Sequence, residues 1–241
     1  MDALPDIRRP VPSLAKLTEG LGRVATLGGD RRATDVIDLV RLVSYCQGDT
    51  TATDRIVELS EEGALVMHES RASTICAYEP VLVPPLLQTR GYAAAVTGEV
   101  QARVHRQEVL STGVECTFFV HEAALRALVG GPEVMAEQAR RLAMCGDRPG
   151  VSVRLVPFAV GGHPSLRGQF EYLGFTGRDP IVYVDNAVVS VLSERPETIA
   201  AYQAVMRDLD ELALCPAASR SVFSQWAESY ERAAGEDRPD A

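Results

Sequence analysis

The chain has 241 residues, 46% of them apolar and 24% charged, which is enough for one large domain or two small ones with a buried core. No apolar run approaches the ~20 residues a membrane-spanning helix needs, and the N-terminus lacks the apolar stretch of a secretion signal. The expected class is therefore soluble and cytoplasmic. The net charge of −9 argues against a broad duplex-binding face without excluding a local basic patch.

Residues 1–12 hold three prolines and no periodicity, so they read as an irregular arm. SLAKLTEGL, opened by Ser13 and closed by Gly20 or Gly22, reads as a short helix. A stronger helix, TDVIDLVRLVSYC, begins at Thr34, and a third is expected from Thr53 through STICAYE, with a break near Gly63. The densest basic cluster falls here: Arg8, Arg9, Lys16 (the only lysine), Arg23, Arg31 and Arg32.

YEPVLVPPLLQTRGYA, residues 78–93, interrupts this pattern. Pro84 and Pro85 donate no backbone hydrogen bond, so neither belongs inside a helix or a central strand. The stretch is expected to be a rigid, extended, buried connector between two helices, with the helix resuming over TRGYAAAVTGEVQARVHRQEVL.

From Val114 the pattern changes. VECTFFVH, VSVRLVPF, QFEYLGF, PIVYVD and AVVSVL read as five strands. AALRALVGGPEVMAEQARRLAMC is helical with a Gly-Gly-Pro interruption, and two further helices follow, one with Pro196 in its first turn. The predicted class is α/β (α+β): a helical N-terminal layer, then an α/β sandwich with a mixed sheet of about five strands. The predicted domains are residues 1–60, residues 61–235 and a short tail, 236–241.

The sequence holds no phosphate-binding loop, no GxSxG, no HExxH and no GxGxxG after a strand. Its four histidines do not pair at metal-ligand spacing, and its five cysteines read as reduced, mostly buried thiols. No cofactor and no metal are expected.

The remaining polar candidates each have a functional and a plainer reading. His121 and Glu122 end a strand, where α/β folds collect ligand groups, although Glu122 also suits a helix cap. His163 sits in a Gly-Gly-His-Pro loop and suits either a ligand or a surface role. Asp185 precedes Asn186 in what also reads as a turn. Arg103, Arg106 and Gln107 share a helical face, as an anion clamp, as partners of Glu79 or Glu115, or as a solvated basic surface. Tyr78, Gln88 and Tyr92 flank the connector, as core or as pocket lining.

Several segments in order carry a resemblance. They are Tyr-Glu-Pro at 78–80, apolar-Pro-x-Leu-Leu-Gln-Thr-x-x-Tyr-Ala at 83–93, Arg-x-x-Arg-Gln at 103–107 and His-Glu-x-x-Leu-Arg at 121–126. Gly-Gly with Met-x-x-Gln at 130–138, Val-x-Val-x-x-x-Pro at 151–157 and Gly-x-His at 161–163 follow. The chain resembles actinobacterial XRE-type helix-turn-helix, antitoxin-like regulators that carry a C-terminal domain of unknown function. Where that family reads Pro-Gly, this chain has Pro84-Pro85. Only SLAKLTEGL and TDVIDLVRLV have counterparts among the family's N-terminal helices, so the DNA reader lacks its brace.

The resemblance implies a regulator-derived protein that binds a small molecule or a protein partner, as a homodimer or hetero-complex. DNA binding through Arg8, Arg9 and Lys16 is expected to be lost, and no membrane partner is expected. The alternative is an enzyme of specialised-metabolite biosynthesis, catalysing a cofactor-free elimination or intramolecular substitution such as an aziridine-type ring closure. Glu79, Glu122 or Asp185 would then be the base, with Arg103 or Arg106 as the anion clamp. The third reading is a working transcriptional regulator.

Overall fold

The computed structural model describes residues 65–98, 100–185 and 190–236. The chain divides into two units at Ala64/Leu65, and the description below concerns the second. The predicted helices before residue 64, with Arg8, Arg9, Lys16 and Cys46, lie outside the described residues, as does Asn186.

Residues 65–69 are helical, and the chain then turns through 70–73, where the Ser70 hydroxyl donates to the Met67 carbonyl. Strand β1 follows at Thr74–Glu79. The expectation of a helix through STICAYE is thus corrected. The β-branched and aromatic residues Thr74, Ile75 and Tyr78 suit a pleated strand, and β1 becomes the centre of the sheet.

The connector joins this strand to a helix, not one helix to another. It is also not fully extended, because Pro85–Leu87 form a short 3-10 turn with Pro84 at its cap. Both prolines sit where a helical turn has N–H groups to spare, so the turn tolerates them. Val83, Leu86 and Leu87 are buried.

The helix expected after the connector is broken. Helix α1 spans Arg90–Val96, with the Thr89 hydroxyl accepting from the Tyr92 N–H. Gly98, in the left-handed region at φ 73°, follows its end. Helix α2 spans Val100–Arg106, and Gln107–Ser111 tighten into a 3-10 turn.

Strand β2 covers Glu115–His121, α3 Ala123–Arg126, α4 Pro132–Cys145 and β3 Val151–Val156. Strands β4 (Phe170–Gly174), β5 (Ile181–Asp185) and β6 (Ser190–Ser193) form an antiparallel meander. Helices α5 (Pro196–Leu212) and α6 (Pro216–Glu236) close the chain. The five expected strands are present, and β1 makes a sixth.

The sheet order is β3-β2-β1-β4-β5-β6. β1, β2 and β3 run parallel, and β4 pairs antiparallel to β1. Chain direction therefore changes at the β1/β4 boundary. One face, with Ile75, Ala77, Phe118, Val120, Val153 and Leu173, packs under Met135 and Leu142 of α4 and Phe223 of α6. The other, with Cys76, Tyr78, Phe119, Phe170 and Val182, packs under Ile199 and Leu209 of α5. Burial on both faces explains why the strands of this sheet read as continuous apolar runs. Among the described residues, no helix is long and apolar enough to cross a membrane.

Candidate functional site at the carboxyl edge of the sheet

The connector accounts for three of the predicted site residues. An irregular buried segment must satisfy its backbone groups with side chains. The Val83 N–H donates to the Tyr92 hydroxyl at 3.2 Å, and the Gln88 amide donates to the Val83 carbonyl at 2.8 Å. Gln107 donates to the Gln88 carbonyl at 2.7 Å and to the Pro85 carbonyl at 3.3 Å. Gln138 accepts from the Thr89 N–H at 2.7 Å and donates to the Leu87 carbonyl at 3.0 Å. Tyr92, Gln88 and Gln107 therefore hold the connector in place.

Arg106 is also engaged. Its Nε and Nη2 donate to the two Glu69 oxygens at 3.0 and 2.6 Å, and Glu171 lies 3.7 Å away. All three side chains are buried. Burial opposes the Arg106 charge, but the Glu69 hydrogen bonds and Glu171 hold its pKa above the ordinary arginine value. Burial and the neighbouring Glu69 raise the Glu171 carboxyl well above the carboxylate range. The expected partners of this arginine, Glu79 and Glu115, are not its partners, and Glu115 is exposed.

The remaining candidates gather where β1, β2 and β3 end. Register and strand alternation place Tyr78, Phe119, His121 and Phe170 on the α5 face. Tyr78 is fully buried, with ring centroids 6.3 Å from both His163 and Phe170. His121 lies 6.0 Å from His163 and 4.9 Å, edge-on, from Phe158. The His121 Nδ1 accepts from the Ala123 N–H at 3.1 Å, which leaves Nε2 as its protonated nitrogen when the ring is neutral. Burial, then His163, lowers the His121 pKa, partly offset by Glu122, and burial lowers that of His163. Both imidazoles are thereby held in the neutral form near pH 7. Burial pushes the Tyr78 phenol above its usual range.

Four polar atoms here are buried and make no hydrogen bond: Tyr78 Oη, His163 Nδ1 and Nε2, and Ser165 Oγ. Ser165, fixed in the 3-10 turn Pro164–Arg167, is a residue the sequence reading missed. Its position two residues after His163 was the available signal.

Glu122 is the latch of this loop. Its carboxylate pairs with Arg126 at 2.5 Å and accepts from the Phe158 N–H at 2.9 Å. It makes no side-chain cap to α3. Partial burial works against its charge, but the Phe158 N–H and Arg126 hold its pKa below the ordinary value. The Arg126 guanidinium lies 5.4 Å from the Phe158 ring centroid and 5.5 Å from that of Trp226.

On the opposite face of the edge stand Glu79, at the end of β1, and Asp185, at the end of β5. Glu79 is 9% exposed, and burial raises its carboxyl to about 8, with Arg103 pulling it down and Asp185 pushing it up. Asp185 accepts from the Ser190 hydroxyl at 2.6 Å. The edge thus collects Tyr78, His121 and His163 on one side and Glu79, Asp185 and Arg103 on the other.

The carboxyl ends of strands beside a reversal of strand order, here at β1 between β2 and β4, are where open α/β sheets bind ligands. Among the described residues, no three His, Cys, Asp or Glu side chains cluster as a metal site would. Cys76 and Cys116 are buried free thiols pushed up to about 12 by burial, so neither is a ready nucleophile at neutral pH. Cys145 is buried as well, while Cys215 is exposed.

The family model described as domain of unknown function DUF5753 matches residues 63–225, more than half of the chain. The protein is a member of that family. Among curated proteins, no sequence matches it.

Proposed function

We propose that this protein is a cytoplasmic, regulator-derived metabolite-binding protein whose ligand sits at the carboxyl edge of the sheet, against Tyr78, His121, His163 and Ser165. The supporting observation is the set of four buried polar atoms without hydrogen bonds on three neighbouring side chains. Leaving such atoms unpaired costs about 1–3 kcal/mol each, and a ligand with matching donors and acceptors recovers that cost. Phe170, with Tyr202 against it, and Phe158 are the aromatic neighbours of Tyr78 and His121, and both histidines are neutral, so the reading favours an uncharged, partly aromatic molecule. In this reading residues 1–60 are a reduced helix-turn-helix remnant of the XRE type. DNA is not bound by the protein alone, and any partner is a second copy or another protein.

The test is a thermal-shift screen against a panel of neutral metabolites, run on the wild type and on Tyr78→Phe with His163→Ala. Ligands that stabilise the wild type and not the variant support the proposal. Stabilisation that survives the substitutions refutes it.

A second reading is favoured by Glu79. A carboxyl titrating near 8 beside a guanidinium suits general acid–base chemistry at neutral pH, as an enzyme of elimination or intramolecular substitution requires. Here Glu79 moves the proton and Arg103 stabilises the departing anion. Under this reading Glu79→Gln abolishes turnover while ligand binding persists.

A further inference from the structure

A groove of about 540 Å³ opens among α1, α2 and α4, and none of the carboxyl-edge residues lines it. We propose that this groove is a second site, independent of the carboxyl edge, for a small molecule that carries a phosphate group and a hydroxyl or amine donor. Its volume falls within the range of small-ligand pockets.

The lining is basic in an acidic protein. Arg90, Arg140, Arg141 and Arg148 contribute four guanidiniums against the single carboxylate of Glu137. Arg141 is preorganised: its Nε donates to the Leu87 carbonyl at 2.9 Å and its Nη2 to the Gln107 Oε1 at 2.7 Å. Its other N–H groups make no hydrogen bond among the described residues, so the guanidinium is fixed in place with donors to spare. Arg140 is half committed to Glu231, at 3.2 Å, with both side chains exposed. Arg90 and Arg148 are exposed and enter no ion pair among the described residues. Several guanidiniums around one groove suit a multiply charged, planar-faced acceptor, and phosphate accepts from arginine in bidentate pairs.

The second observation concerns Gln88, 2% exposed and also lining the groove. Its amide nitrogen is identified by the bond it donates to the Val83 carbonyl, which leaves Oε1 as an acceptor. That oxygen is buried and makes no hydrogen bond. An unpaired acceptor on a residue of a groove lined by arginines asks for a ligand that has a donor as well as an anion, which excludes a bare anion as the best fit. The exposed Met144 on the rim gives the ligand body an apolar surface to rest on.

The test is calorimetric titration of the full chain at low salt with O-phosphoserine, 3-phosphoglycerate, inorganic phosphate, citrate and a polyglutamate peptide. The variant is Arg90→Gln with Arg148→Gln, two exposed side chains whose replacement leaves the fold intact. The expected result is binding of O-phosphoserine or 3-phosphoglycerate more tightly than inorganic phosphate, weakening with salt. The variant should lose roughly tenfold or more in affinity. Absence of binding by every probe, binding unchanged in the variant, or binding confined to citrate or polyglutamate would each overturn the proposal.

Discussion

Replacing Arg106 with Met is the perturbation whose magnitude follows most directly from the structure. The Arg106 side chain is 7% exposed, Glu69 2% and Glu171 7%, so solvent screens this cluster little. Removing the guanidinium takes from Glu69 the two hydrogen bonds it accepts from Arg106 and leaves it beside another carboxyl, and breaking a buried pair from one side costs about 3–5 kcal/mol. For a unit of this size that is a fall in Tm of roughly 6–20 °C. Glu69→Gln should cost a similar amount, because it strands the arginine. Glu171→Gln should cost little, because burial and Glu69 already favour its uncharged form, which the amide imitates. Differential scanning calorimetry at neutral pH on the three variants, with Arg106→Met/Glu69→Gln closing a double-mutant cycle, measures all of this. Equal losses for Glu69→Gln and Glu171→Gln would refute the assignment of the proton to Glu171. A loss below about 1 kcal/mol for Arg106→Met would refute the burial argument itself.

Other outcomes follow from the same geometry. Glu79 has an ordinary value of 4.5 and a folded value of about 8, so the folded state holds its proton more tightly. Its contribution to stability is complete below 4.5 and lost as pH rises through 8. Glu79→Gln should therefore flatten the decline of Tm with pH across that window, and be more stable than the wild type above it by a few kcal/mol. Tyr78→Phe removes a buried hydroxyl that makes no hydrogen bond, so urea unfolding should show unchanged or increased stability, by up to about 1 kcal/mol. Gln138→Leu strands the Thr89 N–H and should cost about 1–3 kcal/mol, read by the same urea titration.

How far the sequence disclosed this protein depends on the periodicity of each segment. Strands β2 to β5 were legible because VECTFFVH, VSVRLV, FEYLG and IVYVD are β-branched, aromatic runs bounded by glycine or proline. β1 was not. It follows a helical stretch with only residues 70–73 between them, and TICAYE taken alone has no strict alternation because it is buried on both faces. The connector was legible as rigid and apolar from Pro84-Pro85, but its neighbours were misassigned because of that missed strand.

The site divided along similar lines. Strand-end position singled out His121 and Glu122, the Gly-Gly-His-Pro loop His163 and the Asp-Asn turn Asp185. Tyr78 and Glu79 stood out instead beside the connector and as a partner for the arginines, because the strand they end was missed. Helical spacing grouped Arg103, Arg106 and Gln107 correctly on α2 and its end, but it could not assign their tasks. Arg106 pairs with Glu69, 37 positions away, and Gln107 serves the connector backbone. Long-range partners of that kind have no local signature. The role of Glu122 as a latch on Phe158, 36 positions away, was hidden for the same reason.

The central claim is that a ligand engages His121 and His163 at the carboxyl edge. The chain has only four histidines, so a long-range proton–nitrogen NMR spectrum of the uniformly labelled protein resolves the imidazoles individually. His105 is exposed and His68 lies beside Arg178, so both serve as internal references. Adding a stabilising metabolite should move the ring nitrogens of His163 and His121 and leave those of His105 and His68 in place. Movement of neither edge histidine, by a ligand shown to bind, would contradict the account.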